Sequence, residues 1–156
     1  MRVHIGSDHA GFEAKQQLVA ALAGRGHDVV DHGPYAFDAL DDYPPFCLAT
    51  GAAVAADPGS TGVVLGGSGN GEQMAANKVD GVRAALVWSE EIARLAREHN
   101  DANVISVGAR MHPADDVLAF VEAFLATPFS GDARHRRRID QLAAYERSHE
   151  VPTRHS

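Results

Sequence analysis

The residues best suited to chemistry gather in one glycine-rich stretch, from Thr61 to Lys78. It reads T-G-V-V-L-G-G-S-G-N-G-E-Q-M-A-A-N-K, with four glycines within six residues. An apolar run before the glycines and helix-favouring residues after them predict a buried strand, a turn and a helix. Such a turn leaves backbone N–H groups at the positive end of the helix dipole, where they can hold an anion. Glu72 stands at the start of that helix, so its carboxyl group could move protons beside a stabilised negative charge.

Three known motifs compete for this loop, and each of them fails at one position. A P-loop requires lysine where Glu72 stands. A dinucleotide-binding fingerprint that starts at Gly67 requires glycine at the same place, although Glu90 lies at about the spacing of a ribose-binding acid. A nucleophile elbow centred on Ser68 requires glycine where Asn70 stands. From the glycine pattern alone, a tight strand-to-helix connection without chemistry is a further alternative.

The elements that would position these residues follow from short apolar runs that alternate with segments of helical period. The expected strands are 3–6, 28–31, 63–65, 82–87 and 104–107. The expected helices are one that ends at Gly24, 46–56, one that starts near Glu72, 90–99, one opened by Pro113, and 132–149, with an irregular stretch at 32–45. This alternation predicts right-handed βαβ units and a parallel sheet covered by helices on both faces. Residues 1–149 are expected to form one domain, followed by a flexible tail at 150–156.

Sites in such α/β folds lie at the carboxyl ends of the strands. The residues that follow the predicted strand ends are Asp8 and His9, the glycine loop with Glu72, Trp88 and Ser89, and Gly108 and Arg110. We therefore expect these residues to meet at one rim of the sheet. Taken alone, Asp8 could be a helix cap and His9 a solvated surface histidine. Beside a glycine anion site, the pair is better explained as substrate contacts.

Two further groups of interest lie in the second half of the chain. His99 closes the apolar face of its helix, where it could act on a substrate or complement the helix C-terminus. Arg134 and Arg138 fall on one helical face, because residues i and i+4 are neighbours. They could hold a phosphate between two guanidinium groups or form a solvated basic helix start. Unpaired arginines are unfavourable at a helix N-terminus, and a bound anion would relieve that misfit.

Composition narrows the classes of function. The chain has 156 residues, of which 45% are hydrophobic and 22% charged, and a formal net charge of −7. This acidic balance argues against general binding to nucleic acid or to an anionic membrane. Cys47 is the single cysteine, and the start of the chain lacks the apolar core of a signal peptide, so we expect a cytoplasmic protein. The histidines lack the helical spacing of metal ligands, so no metal is expected.

Six motifs together resemble the ribose-5-phosphate isomerase B family, also called the RpiB/LacAB sugar-phosphate isomerases. They are G-S-D-H-A-G-F at 6–12, D-D-Y-P at 41–44, G-G-S-G-N-G-E-Q-M-A-A-N-K at 66–78, R-E-H-N at 97–100, G-A-R at 108–110 and R-H-R-R-R-I at 134–139. The resemblance covers residues 1–149. It implies a three-layer, Rossmann-like α/β/α sandwich on a five-stranded parallel sheet, in a homodimer or sometimes a tetramer. It also implies aldose–ketose isomerisation of a sugar phosphate through an enediolate, without a metal or cofactor.

The resemblance implies roles for individual residues. Many members carry a catalytic cysteine where this chain has Gly66, whereas a branch seen in actinobacteria has glycine there and uses a glutamate six residues on, which is Glu72. The sequence resembles that second branch, so Cys47 is not expected to be the base. The other implied roles are an enediolate cradle at Gly67, Ser68, Gly69, Asn70 and Gly71; sugar binding by Asp8, His9 and Asn100; ring opening by His99; a pocket wall at Asp42 and Tyr43; and phosphate binding by Arg110, Arg134 and Arg138.

Several alternatives stay open at this point. Ribose 5-phosphate is the first expected substrate, and phosphates of allose, galactose or a tetrose are the alternatives within the family. A non-catalytic nucleotide- or phosphate-binding module would keep the loop and the arginines but would not need Glu72 or His99. A serine hydrolase built on Ser68 is a weaker choice. We also expect a homodimer with shared sites, in which His99, Asn100 or the arginine-bearing helix reaches the glycine loop of a neighbour.

Overall fold

The computed structural model describes residues 1–154, and in that range it contains five strands and six α-helices. The strands are β1 (Arg2–Ser7), β2 (Asp28–Asp31), β3 (Thr61–Gly66), β4 (Ala84–Leu86) and β5 (Val104–Gly108). The helices are α1 (Phe12–Gly24), α2 (Tyr43–Ala55), α3 (Asn70–Ala76), α4 (Glu90–Asn100), α5 (Ala114–Ala126) and α6 (Ala133–Ser148). A 3₁₀ turn, His9–Gly11, connects β1 to α1.

The five strands form one parallel sheet in the order β2-β1-β3-β5-β4. The register pairs Ser7 with Leu65 and Gly66 with Gly108, so β1, β3 and β5 end at the same edge. Helices α1, α4 and α5 pack together on one face of the sheet, and α2 and α3 pack together on the other. The expected three-layer α/β/α sandwich on a five-stranded parallel sheet is confirmed.

Each helical layer covers its own apolar core. The strands are almost continuously apolar, because a parallel sheet covered on both faces buries every side chain. Ile5, Ile105 and Phe124 belong to the core under α1, α4 and α5, whereas Val64 and Val104 belong to the core under α2 and α3. Burying a side chain of this size contributes roughly 1.5–3 kcal/mol. The two cores hold the strands rigidly and so fix the position of the loops that follow them.

Some element boundaries differ from those expected. Helix α2 begins at Tyr43 rather than at Phe46, so the irregular stretch is shorter than predicted. Pro44 and Pro45 lie in the first turn of α2, where a missing N–H removes no helical hydrogen bond. Helix α3 begins two residues before Glu72, and β4 covers three residues instead of six.

Helix α6 lies apart from the sheet and rests on other parts of its own chain. The Glu146 carboxylate accepts a hydrogen bond from the Gly81 N–H at 3.0 Å, and Leu142 and Tyr145 remain exposed. Residues 150–153 have no regular secondary structure. The flexibility expected for 150–156 stays a prediction, and residues 155–156 lie outside the described range. Within residues 1–154, no helix combines the length and the apolar character that crossing a membrane requires.

Candidate active site

Three loops meet at the edge of the sheet where β1, β3 and β5 end. The strand order reverses between β1 and β3, which is where open α/β sheets form a ligand crevice. The Asp8 N–H donates to a carbonyl of β3 at 3.4 Å. From the other side, the N–H groups of Ala109 and Arg110 donate to the carbonyls of Gly66 and Gly67, at 2.7 and 3.2 Å. The loops after these three strands therefore form one continuous rim.

Glu72 lies within the glycine loop with only 4% of its surface exposed. Its carboxyl group fills the space that a side chain at position 66 would need, because a Cβ built on Gly66 would overlap both carboxyl oxygens. Burial raises the pKa of Glu72 above its ordinary value, and the negative charge of Asp8 adds to the rise, although backbone hydrogen bonds at Glu72 and Gly69 oppose it. A carboxyl group in this environment exchanges protons closer to neutral pH than an exposed one does.

The backbone of the loop is supported by the ends of β4 and β5. Gly69 has a φ of 86°, a left-handed conformation that favours glycine. A Cβ at Gly69 would come within 2.7 Å of Leu86 Cδ1, so the loop lies directly against β4. The Ser106 hydroxyl of β5 donates to the Gly69 carbonyl at 2.8 Å. These contacts hold the first turn of α3, and with it Glu72, in one position.

The hydroxyl groups at the rim are engaged in local structure. Ser68 Oγ accepts hydrogen bonds from the backbone N–H and the side-chain amide of Asn70, both at 3.2 Å. Ser89 Oγ caps α4 by accepting from the Ile92 N–H at 3.1 Å, and the preceding Trp88 is exposed. Among the described residues, no histidine is hydrogen-bonded to Ser68. This arrangement lacks the base that a serine nucleophile requires.

Two larger side chains flank the glycine loop. The Tyr43 ring, at the start of α2, lies so close to Gly71 that a Cβ there would come within 2.6 Å of Tyr43 Cζ. Arg110 extends past Gly67, with its Cδ and Nη1 atoms 3.7 Å from the position of a Cβ on that residue. An aromatic wall and an exposed guanidinium group thus border the loop that holds Glu72.

Asp8 and His9 begin the loop after β1. Asp8 Oδ1 accepts from the N–H groups of Ala10 and Gly11 at 2.9 and 3.3 Å, so Asp8 does cap the 3₁₀ turn. The His9 ring Nδ1 and the His9 backbone N–H both lie 2.8 Å from Asp41 Oδ1. The Asp41 hydrogen bond raises the pKa of His9, and burial opposes this rise. The negative charges of Asp8 and Asp41 further raise this pKa, whereas the positive charge of Arg110 lowers it.

Within residues 1–154, the side chains of Asp8, His9 and Asp41 form the group that has the geometry of a possible metal site. Asp8, His9 and Asp41 each place one ligand atom within 4.8 Å of the other two. His9 and Asp41, however, are already hydrogen-bonded to each other. We therefore interpret the cluster as a hydrogen-bonded network. The expectation of a metal-free site stays a prediction.

His99 and Asn100 lie at the end of the sheet where the strands begin, whereas Glu72 lies at the end where they finish. Helix α4 starts near the rim after β4 and runs back for 11 residues, a length of about 16 Å at 1.5 Å per residue. It ends where the strands begin, and there the Asn100 carbonyl accepts from Arg83 Nε at 2.9 Å. Within one chain, α4 carries these two residues away from the glycine loop.

Helix α6, which carries the arginines, packs against α4 beside His99. The rings of His99 and the buried His135 are 4.3 Å apart between centroids, and Arg134 and Arg138 are exposed. Arg134 Nε is 3.6 Å from the carboxylate of Asp132, which caps α6. Asp132 is therefore a partner for Arg134 at this helix start, and phosphate binding by Arg134 and Arg138 stays a prediction.

Comparison with known proteins shows to which family this chain belongs. The family model described as Ribose/Galactose Isomerase matches residues 3–142. Ribose-5-phosphate isomerase B of Mycolicibacterium paratuberculosis is 59% identical over 152 residues, which are 97% of this chain and 96% of that protein. This chain belongs to the ribose/galactose isomerase family. The protein of the same name from Mycobacterium tuberculosis is 57% identical over 152 residues, 97% of this chain and 94% of that protein.

Solved structures of this isomerase family agree with the fold. A crystal structure of ribose-5-phosphate isomerase B from Mycoplasma genitalium with bound ribulose 5-phosphate has a TM-score of 0.91 and 41% sequence identity. The match covers 94% of this chain and 97% of the Mycoplasma chain. Ribose-5-phosphate isomerase B from Clostridium thermocellum also has a TM-score of 0.91, with 37% identity over 96% of this chain and 100% of that one.

In this member of the family, the predicted site residues fall into two groups. The group at the rim consists of Asp8, His9, Tyr43, Gly67, Ser68, Gly69, Asn70, Gly71, Glu72 and Arg110. The group at the opposite edge and on α6 consists of His99, Asn100, Arg134 and Arg138. No role had been assigned to Asp41, although it opens the D-D-Y-P motif. The sequence did contain a signal for Asp41, because its carboxylate directly precedes the predicted wall residues Asp42 and Tyr43.

Cys47 lies on α2 behind the rim and is fully buried. Burial raises the pKa of its thiol strongly, and the negative charges of Glu72 and Asp8 raise it further. A thiol in this environment keeps its proton at neutral pH and is a poor base or nucleophile. This agrees with the expectation that Cys47 is not the base of this isomerase.

Proposed function

We propose that this chain interconverts ribose 5-phosphate and ribulose 5-phosphate through an enediolate, a reaction of the pentose phosphate pathway. The observation that carries the proposal is the buried carboxyl group of Glu72, with its raised pKa, inside a glycine loop at the crevice of the sheet. The relatives named as ribose-5-phosphate isomerase B, one of them with ribulose 5-phosphate bound, support this choice of substrate.

Glu72 would act as the single base of the isomerisation. Its carboxylate removes the proton from C2 of the open-chain aldose and returns it to C1, while the proton of the C2 hydroxyl passes to the C1 oxygen. The aldehyde thereby becomes a hydroxymethyl group and C2 becomes the ketone. One carboxylate with two oxygens can serve both carbons. The loop from Gly67 to Gly71 would donate hydrogen bonds to the enediolate, and one such preorganised donor is worth about 3–4 kcal/mol.

The chain would use the glutamate branch of the chemistry. Because the Glu72 carboxyl group fills the space next to Gly66, it lies where a side chain at position 66 would otherwise point into the site. A cysteine at 66 and a glutamate in this position exclude each other on steric grounds. The sequence has the glycine that this glutamate requires.

The working unit would be a homodimer that completes each site with residues from both chains. Glu72 and Arg110 lie at the rim, whereas His99, Asn100 and the arginines of α6 lie at the other edge of the same chain. A two-fold axis brings the second group of one chain to the rim of its neighbour, and the exchange is reciprocal. His99 would then assist ring opening, and Arg134 and Arg138 would bind the phosphate together with Arg110. A tetramer built from such dimers would have the same sites.

A cytoplasmic location fits this activity. Cys47 is the single cysteine of the chain, so no disulfide within the chain supports the fold. Cell fractionation that recovers the protein with cytoplasmic marker enzymes would agree with this location, and recovery with secreted proteins would contradict it.

A coupled assay across several sugar phosphates tests the proposed reaction. Ribose 5-phosphate is expected to give the highest kcat/KM, compared with phosphates of allose, galactose and a tetrose. A higher kcat/KM for one of the other sugars would overturn the choice of substrate. Tight nucleotide binding without turnover of any sugar phosphate would overturn the assignment as an isomerase.

A further inference from the structure

We propose that Asp41 is the positioning residue of the site, which holds the His9 ring with a proton on Nδ1 so that Nε2 faces the substrate. The inference deepens the proposed isomerase function and rests on it for the identity of the substrate. It assigns a function to the first residue of the D-D-Y-P motif. It also explains why the loop that precedes this motif has a defined conformation.

One oxygen atom of Asp41 contacts His9 at two positions, the backbone and the ring. Asp41 Oδ1 accepts from the His9 backbone N–H and lies against the ring Nδ1, both at 2.8 Å. The bond to the backbone N–H fixes the position of His9, and the bond to Nδ1 fixes the rotation of its ring. Nε2 has no hydrogen-bond partner among the described residues, and 27% of the His9 side chain is exposed. This nitrogen is therefore the one available to a ligand.

The chemistry of the acceptor decides the protonation of the ring. An ionised carboxylate only accepts hydrogen bonds, so Nδ1 must carry the proton that it shares with Asp41. When His9 is neutral, Nε2 is then the acceptor of the ring; when His9 is charged, both nitrogens donate. An imidazole that could flip or change tautomer would present a mixture of these groups to the sugar phosphate.

The surroundings of Asp41 strengthen its effect on His9. Nine-tenths of the Asp41 side chain is buried, and Oδ2 has no hydrogen-bond partner within residues 1–154. Among the described residues, both hydrogen bonds of this carboxyl group are therefore made with His9. Of the other charged groups that face His9, Asp8 raises the pKa of the ring and Arg110 lowers it. These contributions are smaller than that of the Asp41 hydrogen bond.

Asp41 is itself held by the segment before it. Its N–H donates to the Asp38 carbonyl at 3.2 Å, and Asp38 Oδ1 accepts from the Leu40 N–H at 2.9 Å. This small turn leads directly into α2, whose first residue is Tyr43. The loop at 32–42 is thereby connected to the ring of His9 through one side chain.

Nitrogen-15 NMR of the histidine rings tests the proposal without any need for turnover. In the wild-type protein, Nδ1 of His9 should be protonated at neutral pH, and the signal is assigned by its loss in His9→Gln. A neutral ring with the proton on Nε2 instead would overturn the proposal. In Asp41→Asn, which keeps an acceptor oxygen but removes the charge, the pKa of His9 should fall, and an unchanged pKa would overturn the proposal. If this variant fails to fold, the wild-type tautomer alone decides.

Kinetics separate positioning from a merely structural tether. Asp41→Asn should lower kcat/KM for ribose 5-phosphate about 10-fold, because the charge-assisted hydrogen bond to Nδ1 becomes a weaker neutral one. The limb of the pH profile that reports His9 should also move to lower pH, because His9 loses its proton earlier. The matched control is Asp28→Asn, an exposed aspartate at the start of β2 whose partner is Arg2 and which should keep the wild-type profile. Identical profiles for wild type and Asp41→Asn would overturn the proposal, whereas absent turnover in wild type would overturn the isomerase function and leave the NMR result to decide the role of Asp41.

Discussion

Replacing Gly66 by alanine should disable Glu72 without changing that residue itself. A Cβ at position 66 would overlap the carboxyl carbon and both oxygens of Glu72, so the two groups cannot occupy their present positions together. The carboxyl group is the flexible end of its side chain and is expected to rotate away, which costs about 1–3 kcal/mol as for other overpacked sites. For a chain of this length, that lowers the melting temperature by about 2 to 12 °C.

The catalytic loss should be much larger than the loss of stability. Once the base is displaced from the loop, turnover is expected to fall by about 10²–10⁴, the usual effect of removing a general base. Adding Gly66→Ala to a Glu72→Gln enzyme should then cost little more, because both changes remove the same group. The matched control is Gly24→Ala at the end of α1, where a Cβ would meet nothing within 4 Å and activity should be unchanged.

The assay is the conversion of ribose 5-phosphate by protein whose folding has been verified by circular dichroism. A folded Gly66→Ala enzyme with wild-type kcat would refute the steric exclusion and the role given to Glu72. A full additional loss in the double variant would show that Gly66 acts independently of that residue.

Three further predictions concern Glu72 and His99. An equal mixture of inactive Glu72→Gln and His99→Asn chains should regain about one quarter of wild-type activity as subunits exchange, because half the dimers then hold one intact site; a mixture that stays inactive despite exchange seen by native mass spectrometry would place both residues in one chain's site. His99→Asn should lose much more activity on a cyclic substrate than on an analogue that cannot close a ring, and equal losses would remove the ring-opening role. Burial raises the folded-state pKa of Glu72 above its unfolded value, so its contribution to stability is full below about pH 4.5 and is lost as pH rises through the raised value. Glu72→Gln should therefore increase the melting temperature at neutral pH, with a gain that shrinks in acid, and a constant difference at all pH values would contradict the raised pKa.

The strands and the rim of the site could be predicted because their signals are local. Apolar runs such as the one before Gly66 identify buried strands, and the carboxyl ends of parallel strands share one edge. That rule placed Asp8, His9 and the glycine loop with Glu72 at one rim. The start of α2 was missed because Pro44 and Pro45 suggest irregular structure, although proline is well accommodated in the first turn of a helix.

Other features depend on contacts between distant parts of the chain. Asp41 approaches His9 only after the loop at 32–42 folds back over β1, and no spacing in the sequence encodes that approach. The capping of α6 by Asp132, which also supplies a partner for Arg134, depends on side-chain geometry. The space beside Gly66 likewise becomes visible only when the Glu72 carboxyl group is seen to fill it.

The role of Glu72 is tested most directly by comparing wild type with Glu72→Gln in turnover and in binding. The substitution keeps the size of the side chain and removes the base. We predict that kcat for ribose 5-phosphate falls by about 10²–10⁴, while the Kd stays within about threefold of the wild-type value. A Glu72→Gln enzyme that turns over ribose 5-phosphate at a near-normal rate would contradict the account.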